Sequence, residues 1–89
     1  MPSRQVNIIN KLGMHARAAA KFVNLASTFD SEVEIEKGAR RVNGKSIMGV
    51  MMLAAARGSQ ITIHADGADA EQALADLEAL IENRFGEDE

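Results

Sequence analysis

The run Glu32-Val33-Glu34-Ile35-Glu36-Lys37 sets an apolar side chain at every second position and a charge between each pair. That alternation is the mark of a strand with one face in a core and the other in water. It constrains the fold strongly, because a register slip of one residue would turn the glutamates inward. A sheet built on such a strand needs cover on one side only. The cover is legible near the C-terminus, where Ala70, Ala73, Leu74, Leu77, Leu80 and Ile81 recur at intervals of three and four. That spacing makes one apolar stripe along a helix. The economical arrangement is two layers, a mostly antiparallel sheet with helices packed on one face.

The remaining elements fit this plan. Residues 3–9 read as a strand, with Val6 and Ile8 alternating against Gln5 and Asn7; Ile9 breaks the pattern and leaves the strand end open. Residues 10–14 read as a loop in which Gly13 can take a positive φ. Residues 16–27 read as an alanine-rich helix with Ala19, Phe22, Val23 and Ala26 on its apolar face. After the alternating strand, Gly38 and Ala39 suit a hairpin turn, and residues 40–43 return as a short strand whose charges suit a sheet edge. Ser46 is placed to cap a short helix that begins at Ile47, with Gly58 as its stop. Residues 60–66 form the last strand, Ile61 and Ile63 inward, and the striped helix follows a turn at residues 66–69. Residues 86–89, Gly-Glu-Asp-Glu, are expected to fray as an acidic tail. The order is β-α-β-β-α-β-α, an α/β two-layer fold expected to be one domain over residues 1–89. The open face of the sheet should carry Glu32, Glu34, Glu36, Thr62 and His64.

Several classes of function are argued against. With no cysteine there is no disulfide and no thiolate chemistry, and two histidines among scattered carboxylates show no metal-ligand spacing. A net charge of -3 speaks against general nucleic-acid binding. There is no charged-then-apolar leader and no apolar run long enough to span a bilayer, so no membrane insertion and a cytoplasmic location are expected. Gly44-Lys45-Ser46 looks like the end of a phosphate-binding loop. That pattern requires a glycine at position 39, where the chain has Ala39. No serine sits on a hydrolase-type elbow, and so short a chain leaves little room for a deep pocket.

The chemistry that remains centres on Asn10-Lys11-Leu12-Gly13-Met14-His15-Ala16-Arg17-Ala18. A helix start presents unpaired N–H groups and the positive end of the dipole, which together attract anions. His15 at that start suits a phosphoryl acceptor, and Arg17 suits a clamp on phosphate oxygens. By residue type alone, the same histidine also suits an ordinary cap or surface position. The segment Ile47-Met48-Gly49-Val50-Met51-Met52-Leu53 is apolar nearly all round. It reads either as a buried segment or as a docking patch in which Ile47, Met48 and Met51 are exposed, methionine being adaptable at interfaces. An exposed histidine, an arginine and such a patch describe a carrier that meets other proteins better than an enzyme with its own cleft. His64, on the open sheet face, reads as a solvated residue.

Two blocks carry a resemblance. Asn10-Lys11-Leu12-Gly13-Met14-His15-Ala16-Arg17-Ala18-Ala19 resembles the active-site signature of the HPr family, the histidine-containing phosphocarriers of the bacterial phosphoenolpyruvate-dependent phosphotransferase system. Val42-Asn43-Gly44-Lys45-Ser46-Ile47-Met48-Gly49-Val50-Met51 resembles that family's regulatory-serine signature. The resemblance implies an open-faced β-sandwich with sheet order 1-4-2-3 and three helices on one face. It implies that His15 takes a phosphoryl group from enzyme I and passes it to enzyme IIA domains, steadied by Arg17, with no cofactor or metal. The chain would then be a stoichiometric carrier and a monomer. Ser46 would be the target of an HPr kinase/phosphorylase, and Ile47, Met48 and Met51, with Ala16 and Ala20, would dock partners. Ala18 stands where the family usually has proline, and Met14 where it usually has leucine. Alanine is a good first-turn residue, so the site is expected to survive the change. The sugar-transport and nitrogen-related branches both fit, and a non-catalytic HPr-like regulatory module is the alternative from a different class.

Overall fold

Alternation and stripe meet as expected. The computed structural model describes residues 2–88. Its strands are β1 (Ser3–Asn7), β2 (Glu32–Lys37), β3 (Arg40–Asn43) and β4 (Gln60–Asp66); its helices are α1 (Ala16–Ala26), α2 (Ile47–Met52) and α3 (Ala70–Glu82). A short 3-10 turn, Arg84–Gly86, follows α3. The four strands form one antiparallel sheet in the order β1-β4-β2-β3. The register sets Ile35 opposite Ile63 and Val33 opposite Ala65, and on the other side of β4 sets Val6 opposite Ile61. These side chains line the covered face with Phe22, Val23, Leu74, Leu77 and Ile81 from the helices. Burying each of the larger side chains among them, Val, Leu, Ile or Phe, contributes roughly 1.5–3 kcal/mol.

The open face holds the charges. Arg41 Nε donates to Glu34 at 2.6 Å, and His64 Nε2 lies 2.8 Å from Glu36. His64 is more enclosed than a solvated sheet residue, because Glu36 lies diagonally from it across the register. On the covered side, Arg4 at the sheet edge reaches Glu78 of α3 at 2.6 Å. Asp69, just before α3, accepts from the backbone N–H groups of Asp30 and Ser31 at 2.9 and 3.0 Å and from the Ser31 hydroxyl. The hydroxyl bond leads the effects that hold its carboxyl below the usual carboxylate value.

The end of α2 differs from expectation. The helix stops at Met52, well before Gly58, and Ala54 takes the left-handed φ of 51°. The reason lies in another element. Arg40 Nη1 donates to the Met52 carbonyl at 2.7 Å, and Lys37 Nζ donates to those of Leu53 and Ala54 at 3.4 and 3.1 Å. Two cations from the β2–β3 hairpin thus hold the carbonyls at the negative end of the helix.

Candidate functional site

His15 is the N-cap residue of α1. Its backbone is extended (φ -72°, ψ 177°), and its carbonyl accepts from the Ala19 N–H at 2.8 Å. The loop before it is held in place. Gly13 has φ 64°, and a Cβ there would stand 2.6 Å from the Ala55 carbonyl oxygen, so glycine is required. The Met14 N–H donates to that same oxygen at 2.8 Å, and the Met14 side chain is buried in the core. Met14 therefore anchors the residue beside it, a role the loop assignment did not anticipate. The Ile8 N–H to Ser59 carbonyl bond (2.8 Å) and the Gly58 N–H to Ile8 carbonyl bond (2.7 Å) tie the same two loops together. The segment leaving α2 is thereby set against the segment entering α1.

The imidazole does not cap the helix. The N–H groups of Ala16, Arg17 and Ala18 have no intrahelical acceptor, as at any helix start. His15 Nε2 instead meets Glu87 Oε2, and Glu87 Oε1 accepts from Asn10 Nδ2 at 3.0 Å. Asn10 is fully buried, and the same Nδ2 donates to the Gly13 carbonyl at 2.8 Å. This corrects the expectation of a frayed tail. The 3-10 turn buries Phe85, Lys21 Nζ of α1 donates to the Phe85 carbonyl at 2.6 Å, and the Glu87 N–H bonds the Arg84 carbonyl at 2.9 Å. Glu89, the end of the expected tail, lies outside the described residues. One signal was there to be read: Phe85 follows Ile81 by four and continues the α3 stripe.

Hydrogen bonds from Asn10, and then from His15, hold the Glu87 carboxyl below its ordinary value; burial opposes them, and the charges on His15 and Lys21 assist. Ionised at neutral pH, Glu87 can only accept, so the proton of this contact sits on Nε2. In the neutral ring the lone pair is then on Nδ1. Among the described residues Nδ1 has no hydrogen-bond partner, and the His15 side chain is 27% exposed. Arg17 is exposed in the first turn and holds no hydrogen bond or ion pair among the described residues.

Beside this site the two readings of the apolar segment separate. Val50 and Leu53 are buried; Ile47, Met48, Met51 and Met52 face out, Met48 at 70% exposure. Met52 and Leu12, 63% and 66% exposed, are further exposed apolar side chains not picked out from sequence. Ala16 is exposed and Ala20 half-buried. Ser46 sits at another helix start. Its Oγ accepts from the Gly49 N–H at 3.1 Å, and no hydrogen bond links it to His15 among the described residues. The Gly44-Lys45-Ser46 run is explained by packing: a Cβ on Gly44 would stand 2.6 Å from Val33 Cγ1, and Lys45 Nζ donates to the Phe29 carbonyl at 2.8 Å.

Known proteins share the sequence and fold that carry this site. A family profile described as "PTS HPr component phosphorylation site" matches residues 2–83. The phosphocarrier protein HPr of Cupriavidus necator is 55% identical over 89 residues, covering all of both chains. The phosphocarrier protein NPr of Shewanella violacea is 45% identical over 84 residues, covering 94% of this chain and 92% of that one. A crystal structure of HPr from Thermoanaerobacter tengcongensis superposes with a TM-score of 0.96 at 45% identity, over the full length of both chains. Sequence and fold together place this chain in the HPr family, the phosphocarriers of the phosphotransferase system.

Proposed function

We propose that His15 is the phosphoryl acceptor, taking the group from phospho-enzyme I and giving it to enzyme IIA domains. The observation that carries this is the engagement of Nε2 by Glu87 at the open N-terminus of α1, which leaves the lone pair on Nδ1. That lone pair attacks phosphorus, and the bond between phosphorus and the donor breaks with its electron pair leaving on enzyme I. The helix start then faces an anion that its N–H groups and dipole favour. Ile47, Met48 and Met51, with Ala16 and Ala20, form the docking surface, to which Met52 of the same helix adds area. The carrier is a single domain that acts as a monomer in the cytoplasm. Higher identity to the relative named HPr than to the one named NPr supports the HPr branch. The test is incubation with phosphoenolpyruvate and enzyme I, followed by intact mass. One added phosphate, acid-labile and alkali-stable, is expected; an unchanged mass would leave the regulatory-module alternative in its place.

Arg17 holds the phosphoryl oxygens during transfer. In an enclosed site, loss of one such donor costs about 2.7–4 kcal/mol. Arg17 is exposed, so Arg17→Ala is expected to slow transfer by about tenfold, near 1.4 kcal/mol. Arg17→Lys should fall between, since a point charge lacks the guanidinium fork. Rapid-quench measurement of transfer from phospho-enzyme I reads both, and a wild-type rate in Arg17→Ala would remove the clamp role.

Ser46 is a control point for an HPr kinase/phosphorylase, separate from the acceptor. A phosphate on its Oγ would lie by the first N–H groups of α2, compatible with the fold. It would add about two negative charges beside the docking patch. Ser46→Asp, with half that charge, should slow phosphorylation of His15 by enzyme I at low salt. The slowing should fade as salt rises, because screening acts over about 8 Å at physiological ionic strength. An unchanged low-salt rate in the folded variant would rule out the electrostatic route.

A further inference from the structure

A carboxylate on the ring that must accept an anion is at first sight a hindrance. The geometry resolves this. Glu87 takes Nε2, whereas the phosphoryl group arrives at Nδ1, across the ring, and charges near the surface are screened by water at that separation. Two effects work the other way. A ring protonated at Nδ1 would offer only the nitrogen that Glu87 covers; holding the proton on Nε2 keeps the lone pair on the other one. As the nitrogen–phosphorus bond forms, positive charge develops on the ring, and a fixed carboxylate offsets it. A group that acts on the nucleophile and is itself held by a third is a recurring arrangement at reactive sites.

The way Glu87 is held suggests that its placement matters. Phe85 is buried and Lys21 pins its carbonyl, which fixes the backbone two residues ahead of Glu87. Asn10 spends its amide nitrogen on Glu87 and on the Gly13 carbonyl, joining the C-terminal segment to the loop that carries His15. Its Oδ1 is buried and finds no partner among the described residues. A buried unpaired acceptor is destabilising, and such local conflicts gather at functional sites.

We propose that Glu87 is a positioning residue for phosphoryl transfer, holding His15 through Nε2–H so that Nδ1 is the nucleophile, and offsetting the ring charge once phosphorus is bound. This rests on His15 being the acceptor. The test pairs two measurements on the full chain. In the first, the ring nitrogens of unphosphorylated His15 are read by nitrogen-15 NMR. Wild type should show a protonated Nε2 and an unprotonated Nδ1 in the neutral ring, and Glu87→Ala should show the two tautomers averaging. In the second, Glu87→Ala should lower the rate constant for transfer from phospho-enzyme I about tenfold, below the 10²–10⁴-fold typical of a general acid or base, with KM unchanged. Glu87→Gln, which offers one carbonyl and no charge, should lie between and guards against a folding defect in the alanine variant. Unchanged nitrogen shifts in folded Glu87→Ala, or a rate within twofold of wild type, would overturn the proposal. So would a raised KM at an unchanged rate constant, which would make Glu87 a docking residue. The NMR signature belongs to the unphosphorylated ring and survives even if phosphate goes elsewhere. A wrong acceptor would show instead as labelling that persists in His15→Ala.

Discussion

His15→Ala is expected to abolish phosphoryl acceptance, while His64→Ala leaves it intact. The chain has only these two histidines. His64 lies on the open face of the sheet with Nε2 2.8 Å from Glu36, away from any helix start. His15 lies at the end of α1 where N–H groups are unpaired, with Nδ1 free of hydrogen bonds among the described residues. Acceptance is all-or-none here, because the group lost is the nucleophile itself, and the neighbouring Arg17 guanidinium stays protonated and offers no lone pair to phosphorus. The fold should persist, since the imidazole neither caps α1 nor belongs to the buried core. Intact mass after treatment with phosphoenolpyruvate and enzyme I, beside a circular dichroism spectrum, checks both halves. A phosphorylated, folded His15→Ala protein would overturn the assignment.

A large effect on stability is expected at Phe85, which is buried in the core. Removing a buried aromatic side chain costs about 3–5 kcal/mol, against a total for small domains of about 5–15 kcal/mol. At about 4–8 °C per kcal/mol for a domain of this size, the melting temperature should fall steeply. Phe85 has a second property that sharpens the test. It and Arg84 both sit at positive φ, 55° and 54°. A residue with a Cβ pays roughly 1–2 kcal/mol to stand in that region. Phe85→Ala loses the packing and keeps the strain; Phe85→Gly loses the same packing and relieves it. Urea unfolding should therefore find the glycine variant at least as stable as the alanine variant, the reverse of the order in a helix interior. Both variants should also slow phosphoryl transfer, because the segment that presents Glu87 loses its anchor. A melting temperature within a few degrees of wild type in Phe85→Ala would show that the turn contributes little to the core.

What was legible in the sequence was what short-range patterns encode. The alternation of residues 32–37 and the stripe of α3 needed no knowledge of the rest of the chain, and they fixed the two layers and the open face. Ser46 was legible for the same reason: a cap acts within three residues. The run from Ile47 to Leu53 could not be resolved that way, because nearly every position was apolar and periodicity had nothing to separate. Packing decides it, by burying Val50 and Leu53 and leaving the methionines outside. The end of α2 is set by Lys37 and Arg40 from a hairpin earlier in the chain, so no stop signal near Ala54 announced it. The tail misled for a similar reason. Gly86 and a cluster of acids look like fraying, and the partner that orders Glu87 lies 72 positions away. His15 and Arg17 were visible as residue types at a helix start; the carboxylate and the buried amide that complete their setting were not.

The clamp of Glu87 on His15 also sets where anything joined behind it must begin. An extended chain covers roughly 3.5 Å per residue, so a segment inserted directly after Asp88 starts within a few ångströms of the carboxylate that meets the His15 ring. A flexible linker there would hold a fused acceptor domain at an effective concentration on the order of millimolar. That position is thus a natural tether for routing the phosphoryl group to a chosen recipient, and for the same reason an affinity tag placed there would disturb the setting of His15.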